Sequence, residues 1–160
     1  MIEVVSYDNV NGLKFGATPE ETIKIFGEPD SISKDQSDFM QFHYKDFTIN
    51  FYENDIFKEF ILSPCTKAKI NGVEIGWTLK EILNVIKLDK DPRMDDDGIT
   101  LYDLGVYIYA FESSDDDDFS NKTISFFARG NMDEFKEATK PFDLEEIKQY
   151  IKERELDIVL

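Results

Sequence analysis

Two runs of aspartate are the densest chemistry in this sequence: Asp95-Asp96-Asp97, followed by Gly98, and Asp115-Asp116-Asp117-Asp118. Clustered carboxylates hold a divalent cation when their spacing wraps the ion. An EF-hand loop needs alternating acids, a central glycine and a closing glutamate. With Gly98 as that glycine, the first ligand position falls on Arg93 and the last on Leu104, so the pattern fails. The second run has neither a following Gly nor a spaced Glu. No metal and no cofactor is expected. Two readings of the runs remain. They are solvated loop tips, or their seven carboxylates form a negative surface that meets the Lys and Arg of a basic protein.

Nucleophilic chemistry is thinly supplied. His43 is the sole histidine and Cys65 the sole cysteine. A Cys/His pair needs an activated thiolate beside a base, yet His43 reads as a strand residue and Cys65 as part of a linker. No Gly-rich loop is present to cradle phosphate. Carboxylate pairs of the glycosidase kind carry no information among 34 acids, because some pair falls at any chosen distance. The expectation is a binding protein and not an enzyme.

Charge narrows the partner. The chain carries 18 Lys and Arg against 34 Asp and Glu, a formal charge of −16. Residues 1–80 hold 13 acids and 8 bases, and residues 81–160 hold 21 acids and 10 bases. Such a field repels a phosphate backbone, which argues against nucleic acid, and attracts a basic protein. It also keeps a protein soluble without any partner. No apolar run approaches the roughly 18 residues of a membrane span. The N-terminus has neither a basic region nor an apolar stretch of signal-peptide length, and a lone cysteine forms no internal disulfide. A cytoplasmic address without membrane contact is expected.

The elements that must position these residues announce themselves by repetition. Asn11-Gly12-Leu13-Lys14-Phe15-Gly16-Ala17-Thr18-Pro19-Glu20-Glu21 returns sixty residues later as Asn71-Gly72-Val73-Glu74-Ile75-Gly76-Trp77-Thr78-Leu79-Lys80-Glu81. Asn-Gly makes a tight turn. Thr18 and Thr78 are N-caps with a glutamate three residues on, the capping-box spacing, and Pro19 suits a first helical position. Leu79, Ile82, Leu83 and Ile86 then form one apolar stripe.

A strand-rich tract follows each helix. In the first, Phe39–Tyr44, Phe47–Glu53 and Ile56–Leu62 are joined by Lys45-Asp46 and Asn54-Asp55 turns. Phe47, Ile49 and Phe51 alternate with Thr48, Asn50 and Tyr52, as in a sheet with one buried face. In the second, Ile99–Asp103, Gly105–Glu112 and Lys122–Arg129 are strands, with Val106, Ile108 and Ala110 facing away from Tyr107, Tyr109 and Phe111. A short helix from Asn131, a break at Pro141 and a longer helix from Asp143 complete the chain, with Leu156–Leu160 an edge strand or a docked tail. The fold expected is α+β: two tandem repeats of a helix plus a curled antiparallel sheet, with C-terminal helices. The division is 1–64 and 65–130 for the repeats and 131–160 for the extension.

Gly12, Gly16, Thr18, Glu21, Gly27 and Pro29, echoed by Gly72, Gly76, Thr78 and Glu81, spell G-x-x-x-G-x-T-x-x-E before an amphipathic helix. This arrangement over residues 10–130 resembles the BamE/SmpA-like and beta-lactamase-inhibitor-protein-like domains. The second copy departs from it, with Lys87-Leu88-Asp89 where the first has Gly-x-Pro. The resemblance implies protein binding through a concave, aromatic-rich sheet. The small size and acidity are also similar to those of bacterial immunity proteins, which neutralise a cognate toxin domain.

Three aromatics are candidate anchors beside the Asp runs. Trp77 packs between the halves or anchors an interface, and Tyr107 and Tyr109 lie in the core under the C-terminal helices or form an exposed binding strip. The function expected is non-catalytic occlusion of a basic toxin domain by Asp95–Asp97, Asp115–Asp118, Trp77, Tyr107 and Tyr109. A housekeeping interaction module of the same fold is the alternative.

Overall fold

A computed structural model describes residues 1–37, 39–109, 122–155 and 160. The first half runs β1 (Ile2–Val5), β2 (Asn9–Val10), β3 (Leu13–Lys14), α1 (Pro19–Phe26), β4 (Ser31–Lys34), β5 (Met40–His43), β6 (Phe47–Tyr52) and β7 (Ile56–Leu62). The second runs β8 (Ala68–Ile70), β9 (Val73–Ile75), α2 (Leu79–Ile86), β10 (Pro92–Met94), β11 (Gly98–Leu101), β12 (Val106–Tyr109) and β13 (Thr123–Phe127). A 3-10 turn (Asp133–Ala138), β14 (Lys140–Pro141) and α3 (Leu144–Glu153) follow.

Each of the three α-helices begins at a side-chain cap. The Thr18 hydroxyl accepts from the Glu21 N–H, and Asp143 accepts from the N–H groups of Glu145 and Glu146. At Thr78 the box is complete, because the Glu81 carboxylate also accepts from the Thr78 N–H at 3.0 Å and the Trp77 N–H at 3.1 Å. Replacing Thr78 with Ala removes one side of this box. Urea unfolding should then show a loss of about 1 kcal/mol, the usual worth of such a cap.

The strands overturn the expected fold class. The chain is mostly β, with one sheet in the order β3-β2-β1-β8-β9 and a nine-stranded sheet in the order β14-β10-β11-β12-β13-β7-β6-β5-β4. Two helix-plus-curled-sheet repeats would each keep a sheet of their own. Instead β7 pairs with β13 in antiparallel register, Phe60 opposite Phe126, and the two meanders fuse into one sheet. The segments before the helices leave for the second sheet, where β1 runs parallel to β8. Among the described residues the C-terminal extension holds a 3-10 turn, Asp133–Ala138, and the α-helix Leu144–Glu153, joined through the short strand β14. Fusion buries strand edges that two separate sheets would leave open.

Register sorts the nine strands into two unlike faces. Cross-strand partners Phe42, Ile49, Phe60, Phe126, Val106 and Leu101 share one face, and all are buried. The helices pack there. Phe26 of α1 lies 5.0 Å from Phe47 and 5.9 Å from Phe60, ring centre to ring centre. At the α3 N-terminus, the Asp143 N–H reaches the Met94 sulfur at 3.3 Å. Residues of both sheets and of α2 and α3 share one hydrophobic core. Glu53, Asn54 and Asp55 join β6 to β7, and Asn54 and Asp55 take the left-handed φ of 65° and 57° that this tight turn needs. Among the described residues no helix is long and apolar enough to cross a membrane.

Candidate functional site

The other face of the nine-stranded sheet is polar and aromatic. Alternation brings Thr48, Tyr52, Ile61, Tyr107, Tyr109 and Thr123 to it, and each keeps part of its surface exposed. Of the two placements open to Tyr107 and Tyr109, the one beneath the C-terminal helices does not occur, because α1 and α3 make their contacts on the opposite, apolar face.

A chain of side-chain hydrogen bonds crosses this face. Gln41 Nε2 donates to Asn50 Oδ1 at 2.9 Å, and Asn50 Nδ2 donates to Glu59 Oε1 at 2.7 Å. Tyr52 Oη and Ser125 Oγ each stand 3.5 Å from a Glu59 carboxylate oxygen. Glu59 reaches this position through a β-bulge. The β6–β7 register shifts so that Asn50 faces Glu59 while Phe51 faces Phe57, leaving Lys58 as the extra residue. Phe57 and Phe60 thereby share the core face although they stand three apart.

Burial raises the Glu59 carboxyl above the usual glutamate range, and the bonds from Asn50, Tyr52 and Ser125 only partly oppose it. Tyr52 is pushed up to about 12 by burial and then by the Glu59 charge. Tyr107 is also pushed up to about 12, by burial first and then by the charges of Asp95 and Asp97. Those charges belong to the hairpin between β10 and β11. There Asp95 Oδ1 accepts from the N–H groups of Asp97 at 2.9 Å and Gly98 at 3.0 Å, which leaves Asp96 and Asp97 exposed. Gly98 pairs with Tyr109, so this acidic turn borders the tyrosines.

Of the candidates read from sequence, the structure thus brings together Asp95, Asp97, Tyr107 and Tyr109, while Asp96 lines a cleft with Glu146, Ile147 and Tyr150 of α3. Trp77 is interior at 6% exposure, and its indole N–H donates to the Thr66 carbonyl at 3.0 Å, so it packs and presents no surface. Asp115, Asp116, Asp117 and Asp118 lie outside the described residues. Cys65 is exposed in the turn after β7. His43 is taken by two hydroxyls, Ser33 Oγ at 2.8 Å from Nε2 and Thr48 Oγ1 at 3.4 Å from Nδ1. A Ser–His contact of that length suits nucleophile activation, but the outer nitrogen meets a neutral hydroxyl where a triad has a carboxylate. Among the described residues no group of three or more His, Cys, Asp or Glu is placed to hold a metal ion.

At one end of the polar face a cleft of about 680 Å³ is lined by Tyr52, Ile56, Glu59, Arg129, Met132 and Phe135. Phe135 is 50% exposed. The Arg129 guanidinium lies over the Tyr7 ring, 4.2 Å from its centre. Sequence reasoning passes over Glu59 and Asn50. The available clue is Phe57-Lys58-Glu59-Phe60, where apolar residues three apart break a period of two and mark a bulge.

No protein-family model matches the chain, and no curated protein matches it. Among solved structures, it is similar to an extracellular protein containing a SCP domain from Bacillus anthracis str. Ames. That match has 10% identity and a TM-score of 0.45, covering 85% of this chain and 52% of the other. The chain thus spans about half the length of that protein.

Proposed function

We propose that this chain is a non-catalytic binder of a basic protein, and that the polar face of the nine-stranded sheet is its contact surface. One observation carries the reading: half-buried Tyr52, Tyr107 and Tyr109 occupy the face opposite α1 and α3, with Asp95 and the exposed Asp97 beside Tyr107. Tyrosines give large, stiff contact area with a polar tip, which suits the centre of an interface. Rim carboxylates steer a basic partner into encounter, and the charge of −16 extends that field. The concrete case is a cytoplasmic immunity protein that covers the active face of a cognate toxin domain.

The test is capture by the purified chain from the cells that make it, with identification by mass spectrometry and affinity measurement on the captured protein. A basic partner is expected. Tyr107→Ser should weaken it about thirtyfold, the roughly 2 kcal/mol of an aromatic hot spot. Asp97→Asn should slow association and flatten its salt dependence with little change in dissociation. An acidic partner, or an affinity indifferent to Tyr107→Ser, overturns the reading. Growth rescue on co-expression with the captured protein assigns the toxin case; a harmless partner assigns an interaction module instead.

A further inference from the structure

Glu59 is the best-prepared charge on the polar face. The bulge at Lys58 turns it away from the core, and Asn50, Tyr52 and Ser125 surround its two oxygens. All three are neutral donors. A largely buried carboxylate without a cation disfavours the folded state, since its lost hydration is only partly replaced. A glutamine at this position would accept the same 2.7 Å bond from Asn50 without that penalty. The negative charge is therefore surplus to what holds β6, β7 and β13 together.

The surroundings suit one cationic side chain. Tyr52 and the half-exposed Phe135 line the same cleft, and aromatic faces attract ammonium and guanidinium groups. Three carboxylates, Glu53, Glu59 and Glu134, line it against Lys58 and Arg129. The Arg129 charge is already stacked on Tyr7. Two carboxylate oxygens with spare lone pairs accept a guanidinium in fork geometry. Resting on the protein-binding reading above, we infer that Glu59 is the receptor for an arginine or lysine side chain that the partner inserts into the cleft. The partner is thereby a protein with a protruding basic residue at the centre of its contact surface, in addition to any basic rim that meets Asp97.

Argininamide is the probe, with uncharged citrullinamide of nearly the same shape as control, and both are titrated into the full chain by NMR. Argininamide should shift the Asn50 side-chain amide and the Ser125 resonance saturably, and citrullinamide should not. The Glu59 carboxyl should titrate at lower pH with argininamide bound. Glu59→Gln should weaken the response at least tenfold while melting no lower than the parent, and Phe135→Ala should weaken it severalfold. Equal responses to both probes, shifts confined to Asp95–Asp97, or a Glu59→Gln protein that responds like the parent overturns the inference. If argininamide misses Glu59 while Tyr107→Ser still releases a captured basic protein, the cation pocket falls and the protein-binding reading stands. If argininamide seats at Glu59 while a captured partner is indifferent to Tyr107→Ser, the cation pocket stands and the tyrosine face is no interface.

Discussion

Replacing Phe60 with Ala should cost about 4 kcal/mol of unfolding free energy, within the range for truncating a fully buried phenylalanine. Phe60 is 0% exposed and sits at the seam where the two meanders meet, with Ile49 opposite on β6 and Phe126 opposite on β13. Its ring stacks on Phe47 at 4.7 Å and meets Phe26 of α1 at 5.9 Å. Truncation therefore opens a cavity bounded by three strands and a helix, which relaxes poorly because strands on both sides pin its walls. Native domains hold only about 5–15 kcal/mol in reserve, so urea denaturation should show a large fall in midpoint. A loss below about 1 kcal/mol would mean that the seam is not packed as described.

The same seam marks where the sequence stops being legible. Helix starts are readable because a cap is a local device: Thr18 and Thr78 need only a glutamate three residues on. The long hairpin strands are readable for a similar reason, with β7 covering Ile56–Leu62 as its pattern predicts. Strands of two to four residues such as β2, β3 and β4 are shorter than any window in which a period can be counted. The parallel pairing of β1 with β8, Val4 opposite Ile70, joins residues more than sixty positions apart and leaves no local mark. The pairing of β7 with β13 is equally silent, and it alone decides between two sheets and one. The duplicated sequence is real as local structure and misleading as architecture.

The candidate site divides along the same line. Tyr107 and Tyr109 are visible because alternation with Val106 and Ile108 separates two faces, although which face the helices cover is not written in the pattern. Trp77 reads as a surface candidate because an aromatic at a helix entry looks alike whether it packs or protrudes. Its buried indole, bonded to the Thr66 carbonyl, is a tertiary fact. Glu59 escapes notice because an acid on a strand usually faces water. Only the bulge and the bond from Asn50 show that it is held and largely buried.

Gly98→Ala is the second change with a large expected effect, about 3 kcal/mol, at the upper end for overpacking. A Cβ built at Gly98 would lie 2.2 Å from the Ile108 carbonyl oxygen and 3.1 Å from the Tyr109 Cα. These are backbone atoms of the neighbouring strand, so no rotamer change relieves the clash and β11 must separate from β12. Gly98 also closes the Asp95–Asp97 turn and pairs with Tyr109. Partner affinity should therefore fall together with stability. Glu59→Gln should part the two quantities. Because burial raises the Glu59 carboxyl in the folded state, its contribution to stability is complete at acid pH and is lost as pH rises through the folded value. At neutral pH the charge thus weighs against folding, and the glutamine variant should melt higher than the parent, with a flatter pH profile, while binding a basic partner less well. Melting curves and affinities of the two variants, measured side by side at pH 4 and pH 7.5, check both expectations. A Glu59→Gln protein that melts lower at pH 7.5 would make that carboxylate a structural strut, and a Gly98→Ala protein that melts like the parent would mean that β11 and β12 are not in contact as described.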